Sequence, residues 1–213
     1  MKKWRCLTFV MALAVASCSN PSSSGPQPHA RRAPSYDYGE AGGSNIFDDN
    51  AKTNTTVEPA ALDLSFTDRK GNRVDLKQYR GKKNVVLVVT RGYAGHFCPC
   101  CTSQTSRLIN QYGEFARRDA EILLVFPGPK DHLEQFLQGA EERVNCDPTP
   151  FPVLLDENFT AVDKLGIRGE LAKPSTYILD KQGQIRFAYV GSTYSDRPSV
   201  KALLKQLDEI TKS

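Results

Sequence analysis

A chain of 213 residues with 39% hydrophobic and 24% charged side chains has room for one globular domain plus extensions. Lys2, Lys3 and Arg5 lie in a segment expected to be removed, so the formal charge of +4 falls to about +1. With no Lys/Arg stripe elsewhere, this excludes a nucleic-acid binder driven by counterion release.

The chain opens as a targeting signal. Met1-Lys2-Lys3-Trp4-Arg5 is a positive start, and Leu7 to Ala16 is an apolar run. As a helix that run is roughly 15 Å long, about half a bilayer core, too short for a permanent span. It ends in Val15-Ala16-Ser17-Cys18, which resembles the bacterial lipobox, where a signal peptidase cuts before a cysteine that carries diacylglycerol. The resemblance implies residues 1–17 as signal peptide, Cys18 as the lipidated first residue and a membrane held through that lipid. Ser19, rather than Asp, resembles outer-membrane sorting and implies a bacterial envelope location on the periplasmic side.

Residues 18–58 read as a flexible linker rich in Ser, Pro and Gly, as in Asn20-Pro21-Ser22-Ser23-Ser24-Gly25-Pro26. A coil of that length reaches roughly 35 Å on average. Asn54-Thr55-Thr56 has the form of a glycosylation sequon, a weak match behind a bacterial-type signal.

The folded domain is expected over 59–213. Leu62, Leu64 and Phe66, the turn Asp68 to Asn72, then Val74 and Leu76 form a hairpin pattern. Asn84 to Arg91 reads as a buried central strand, and Pro99 to about Arg118 as one helix on Leu108, Ile109, Tyr112 and Phe115. Glu121 to Phe126 is a second buried strand, stopped by Pro127-Gly128-Pro129. A helix over Asp131 to Val144, an extended piece at Phe151 to Leu155 and a short helix at Phe159 to Leu165 follow. Ser175 to Leu179 and Ile185 to Val190 flank the turn Asp180-Lys181-Gln182-Gly183, and Val200 to Ile210 closes the chain as a helix. The order predicts an α/β domain with a mixed central sheet flanked by helices. The thioredoxin fold has this order; here a β-hairpin is added at its N-terminal end.

Once Cys6 leaves with the signal and Cys18 takes lipid, the domain keeps Cys98, Cys100, Cys101 and Cys146. Four thiols are too few for a disulfide scaffold, so their clustering points to chemistry. Cys98 and Cys101 are three apart at a helix start, where unpaired N–H groups and the helix dipole favour a thiolate on the first. Cys98 is expected as the exposed nucleophile and Cys101 as the partner that closes a disulfide; the bland alternatives are an inert pair or a metal clip. Cys100 reads as a spectator or secondary thiol. Cys146 is either a resolving thiol or a small buried side chain. His96 either supports the thiolate or is an exposed loop residue, and Tyr93 and Phe97 either line the site or anchor its loop. Pro174 opens a strand. In the thioredoxin fold a cis-proline there faces the Cys-x-x-Cys, and its neighbours' backbone pairs with a substrate's extended chain, so a cis Lys173–Pro174 bond is expected from the fold.

The stretch Val85 to Tyr93 with Phe97-Cys98-Pro99-Cys100-Cys101 resembles the alkyl hydroperoxide reductase/thiol-specific antioxidant (AhpC/TSA) superfamily in its peroxiredoxin-like branch. Pro174 to Asp180, Ile185 to Val190 and Tyr194-Ser195-Asp196-Arg197 are similar to that branch's closing hairpin and its lead into the last helix. The similarity spans roughly 60–211. Typical members place a proline seven positions, and Thr or Ser three positions, before the reactive cysteine, where this chain has Arg91 and Gly95. They also carry an arginine where this chain has Pro174, leaving Arg91 or Arg168 as substitutes. The resemblance implies a thiol oxidoreductase with an antioxidant role that cycles Cys98 and Cys101 against a peroxide or protein disulfide. A thioredoxin-like thiol system would reduce it again, and no resident cofactor or metal is implied. A second reading is a thioredoxin-fold copper-binding or copper-delivery protein using the soft ligands His96, Cys98 and Cys101.

The lipobox predicts that Cys18 takes up label when cells are grown with palmitate and that globomycin blocks processing. An unlabelled, freely secreted product would reject the anchor.

Overall fold

The computed structural model describes residues 47–93 and 95–212. The expected signal peptide, Cys6, Cys18 and most of the expected linker lie outside the described residues. The elements run β1 (Phe47–Asp48), β2 (Ser65–Asp68), β3 (Arg73–Asp75), β4 (Asn84–Val89), α1 (Pro99–Asn110), α2 (Tyr112–Ala116), β5 (Ala120–Pro127) and α3 (Leu133–Glu141). They continue with β6 (Val153–Asp156), α4 (Thr160–Lys164), β7 (Ser175–Leu179), β8 (Ile185–Val190), β9 (Arg197–Pro198) and α5 (Val200–Lys212).

Seven strands form one mixed sheet in the order β3-β2-β6-β5-β4-β7-β8. Strands β4, β5 and β6 are parallel, whereas β2 and β7 join them antiparallel. Every residue of β4 and β5 is buried, because both faces of the central strands are covered. The strand period of two then splits the core into two layers. Val86 and Val88 pack with Ile122, Leu124 and Phe126 against α1, α3 and α5. Val85, Leu87 and Val89 pack on the other side with Leu123, Val125, Val162 and Ile167. The N-terminal hairpin forms as expected, β2 pairing with β3 across Phe66 and Val74. The expected mixed sheet and closing hairpin are both present.

Three expectations change. The helix expected over 99–118 is two helices, because Gln111 leaves helical geometry (φ −107°, ψ 10°) and α2 restarts at Tyr112. The helix expected over 131–144 narrows to α3, flanked by 3₁₀ turns at Lys130–His132 and Glu142–Val144. Residues 47–57, expected at the end of the linker, lie on the domain instead. Phe47 and Ala51 are buried, and β1 pairs in parallel with β9. Asn54 brackets edge strand β8, its side chain donating to the Val190 carbonyl (3.0 Å) and accepting from the Val190 N–H (2.9 Å). These bonds cover an edge that would otherwise present unpaired backbone.

The exit from β4 needs one glycine. Gly92 has φ +89°, and a β-carbon placed on it would overlap the carbonyl oxygen of Pro127 at the end of β5. Gly92→Ala should therefore cost about 2–4 kcal/mol in denaturant titration, from left-handed strain plus a backbone clash. A loss below about 0.5 kcal/mol would show that this contact does not hold the loop.

Candidate active site

Cys98 stands at the N-cap of α1 with extended backbone (φ −68°, ψ 117°), and Pro99 takes the first helical position. Pro99 fits there because its missing N–H would have had no helical partner. The Cys98 carbonyl accepts the N–H groups of Cys101 (2.9 Å) and Thr102 (3.2 Å), closing the first turn. That turn brings the Cys101 thiol beneath the Cys98 sulfur, toward which it donates a hydrogen bond. Cys98, Cys100 and Cys101 are free thiols.

Cys98 is 7% exposed and Cys101 2%, so the expectation of an exposed nucleophile is corrected. The loop from β4 closes over the site because its aromatic rings anchor elsewhere. Tyr93 stacks on His132 at 3.7 Å, and Phe97 packs at 5.1 Å from Tyr93 and 6.1 Å from Phe136 of α3. Tyr93 and Phe97 therefore pin the loop to α3.

The sequence reading missed the residue closest to the two sulfurs. Arg197 in β9, 1% exposed, donates from Nη2 to Cys101 Sγ at 3.1 Å and reaches Cys98 Sγ at 4.0 Å. Its Nη1 donates to Gln104 of α1, and its Nε and Nη2 donate to the Tyr194 carbonyl at 3.3 and 3.1 Å. Among the described residues these partners are neutral oxygens and sulfurs, none a carboxylate. The only signal in the sequence was its place at the end of Tyr194-Ser195-Asp196-Arg197, before the last helix. Gln104, six positions after Cys98, gave none.

The charge divides between the thiols accordingly. Cys98 is lowered from 9.0 to about 5, first by the hydrogen bond from Cys101, with the Cys100 and Cys101 N–H groups and the Arg197 charge adding to it against burial. Cys101 is pushed well up, mainly by burial and by donating to Cys98. Arg197 stands nearer Cys101, yet the thiolate belongs on Cys98. Only Cys98 collects the helix N-terminus, and Cys101 keeps its proton as donor while accepting from the Arg91 N–H (3.4 Å). Cys100 is raised by burial and by the neighbouring Cys98 charge.

The remaining candidates lie elsewhere. His96 is exposed, and no group of three or more His, Cys, Asp or Glu among the described residues is placed to hold a metal ion. The ligand set named for copper is thus not brought together. Arg91 lies half-buried with its guanidinium 5.9 Å from the Tyr194 ring, whereas Arg168 pairs with Asp163 (2.7 Å). Cys146 is half-buried after α3, its N–H bonded to the Glu141 carbonyl at 3.2 Å.

The expectation of a cis-proline is also corrected: the one cis bond among the described residues is Asp147–Pro148, so Lys173–Pro174 is trans. The segment already continues β7. Ala172 N–H bonds the Arg91 carbonyl (3.2 Å), and the Pro174 carbonyl accepts Gly191 N–H (2.8 Å). Its ring braces the loop leading to Arg197, since a β-carbon on Gly191 would stand 2.9 Å from Pro174 Cγ.

A thiolate and a thiol at a helix N-terminus, at the carboxyl ends of parallel strands, suit thiol redox chemistry. Residues 57–188 match the model of the AhpC/TSA family. The chain belongs to that family. It is similar to the thiol-disulfide oxidoreductase ResA of Geobacillus kaustophilus, at 29% identity over 150 residues, 70% of this chain and 76% of that protein. It is similar also to the putative peroxiredoxin ycf42 of Trieres chinensis, at 26% identity over 155 residues, 71% of this chain and 74% of that one. In fold it resembles the peroxiredoxin 6 of Arenicola marina, with a TM-score of 0.62 at 14% identity over 76% of this chain and 74% of that one. The α/β architecture is thus the thioredoxin-like one of peroxiredoxins.

The charge division predicts a pH profile. A lowered Cys98 is thiolate above its folded value, so its alkylation rate should rise through about pH 5 and level off near neutrality. Arg197→Met should move that midpoint up by about 1–3 pH units, the usual effect of losing a close opposite charge. Peptide-resolved mass spectrometry after timed alkylation measures both. A midpoint near the ordinary thiol value in the native chain would refute the assignment.

Proposed function

We propose that this thiol-dependent oxidoreductase reduces a hydroperoxide, with Cys98 as nucleophile and Cys101 as resolving thiol. The observation carrying the reading is a Cys98 side chain 7% exposed yet lowered to about 5. A small oxidant reaches such a sulfur, whereas a folded protein disulfide needs an open face. The backbone around Pro174 that would pair with a substrate's extended chain is engaged with Ile167, Arg91 and Gly191.

The Cys98 thiolate attacks the outer peroxide oxygen and the O–O bond breaks. Sulfur gains oxygen as sulfenic acid, and the departing alkoxide or hydroxide takes a proton to leave as alcohol or water. Cys101 then loses its proton and attacks the Cys98 sulfur, releasing hydroxide, which that proton converts to water. The product is a Cys98–Cys101 disulfide. Two electrons from an external dithiol, a thioredoxin-like reductant, restore both thiols. The Arg197 guanidinium, 4.0 Å from the Cys98 sulfur, favours the thiolate before attack.

A second reading, reduction of a protein disulfide, is favoured by the Cys-x-x-Cys spacing and by the similarity to proteins named thiol-disulfide oxidoreductase ResA. The membrane anchor at Cys18 belongs to the same proposal and rests on the lipobox pattern alone.

Stopped-flow mixing of the reduced protein with hydrogen peroxide and with cumene hydroperoxide tests the substrate. The expected result is rapid oxidation lost in Cys98→Ser, with a trapped sulfenate in Cys101→Ser. A rate no faster than that of an ordinary free thiol, alongside fast exchange with a protein disulfide, would replace the peroxide by the second reading.

A further inference from the structure

Arg197 lies on a strand whose pairing partner falls outside the family match. The match ends at 188 and begins at 57, so β9 and residues 47–54 both lie beyond it. β9 pairs with β1 in a two-stranded sheet of their own, with Phe47 opposite Arg197 and Asp48 opposite Pro198. The Asp48 carbonyl accepts the Ser199 N–H at 2.9 Å, and Lys201 reaches the Asp49 carboxylate at 3.2 Å. Phe47 is 7% exposed and stacks under the Arg107 guanidinium of α1 at 4.5 Å. Farther along, Ala51 enters the core, and Thr53 Oγ1 accepts the Ala188 N–H (3.3 Å). Asn54 then brackets Val190.

We propose that residues 47–54 form a positioning strap whose seat on β9 and β8 fixes the Arg197 guanidinium against the two thiols and so sets the reactivity of Cys98. The inference rests on the reading of Cys98 as nucleophile. Fixing β9 matters because the side chain alone does not hold the cation in place. A guanidinium on a long flexible stem stays beside a sulfur only if its backbone is anchored and its donors are matched. Gln104 and the Tyr194 carbonyl match the donors, and β1 is the strand partner of the backbone. Doubling the 4.0 Å separation from Cys98 roughly halves the Coulomb attraction. The other charged or titratable groups facing Cys98 are Cys100 and Cys101 of α1 and, through Cys100, Arg91 after β4, while Asp196 faces the Arg197 charge. No hydrogen bond or ion pair joins any of them to the strap among the described residues, although Ala51 shares the core cluster of Cys98 and Cys101. A loosened strap is expected to act on Cys98 through Arg197, and the Arg197→Met background separates this route from one through Ala51 or Arg107.

The experiment uses the full chain with Phe47→Ala, and with Phe47→Leu, which keeps most of the buried volume but loses the ring on Arg107. Each is made in the native and the Arg197→Met backgrounds. Alkylation of each cysteine is followed by peptide mass spectrometry from about pH 4 to about pH 9, with folding checked by circular dichroism. The expected result is a Cys98 midpoint raised by about 1 pH unit in Phe47→Ala and by less in Phe47→Leu, with no further rise once Arg197 is gone. If Phe47→Ala does not fold, the smaller shift in Phe47→Leu and its absence without Arg197 carry the proposal. A folded variant with an unmoved midpoint overturns it, as does an equal shift in the Arg197→Met background. A native Cys98 midpoint no lower than those of Cys100 and Cys146 would instead overturn the nucleophile reading on which it rests.

Discussion

A guanidinium sealed inside the domain with no carboxylate bonded to it is the constraint around which the site is built. Burying a cation costs several kcal/mol unless an anion and matched acceptors answer it. Arg197 is 1% exposed, and its neutral partners, Gln104 and the Tyr194 carbonyl, answer the donors but not the charge. The Asp196 carboxylate feels the Arg197 charge without bonding to it, and the Cys98 thiolate supplies a second anion at 4.0 Å. Lowering Cys98 thus neutralises the Arg197 charge, and the Arg197 charge lowers Cys98. The helix N-terminus decides which sulfur carries it.

This arrangement explains the burial of Cys98. A thiolate in open water gains little from a cation at 4.0 Å, because solvent screens the pair. The aromatic clamp of Tyr93, Phe97 and His132 removes that screening by folding the loop onto α3. Gly92 makes the clamp possible, since it is the point where the chain leaves β4 against the Pro127 carbonyl. The same closure is what supports a small substrate in the proposed reading. Pro174, which the fold analogy cast as a wall for a bound peptide, serves here as a brace for the Arg197 loop.

What could be read in the sequence was local. The buried runs of β4 and β5, the helix start at Pro99 and the hairpin from Ser175 to Val190 each carry their own period and turn signals, and each appears where expected. The cysteines were legible as a cluster for the same reason. Arg197 was not, because it stands 99 positions from Cys98 and the Tyr194-Ser195-Asp196-Arg197 pattern does not by itself say that the arginine is buried. The strap escaped for a related reason. Its stretch is polar, its two buried anchors are only Phe47 and Ala51, and its hold on the domain comes mostly from backbone pairing with strands far away in sequence. The trans Pro174 bond was illegible because cis and trans proline have the same letter, and the analogy supplied the wrong isomer.

The unanswered cation also bears on how the proposed cycle closes. When Cys98 and Cys101 join, the thiolate disappears and Arg197 loses the anion at 4.0 Å, keeping only the electrostatic pull of Asp196. The reduced form is therefore favoured electrostatically over the disulfide, and a stabilised thiolate makes a disulfide easier to reduce. A disulfide meant to brace a small exported domain would need the opposite balance. The interaction that prepares Cys98 for attack thus also prepares the product for its reductant, and both halves of the cycle depend on one side chain entering from β9.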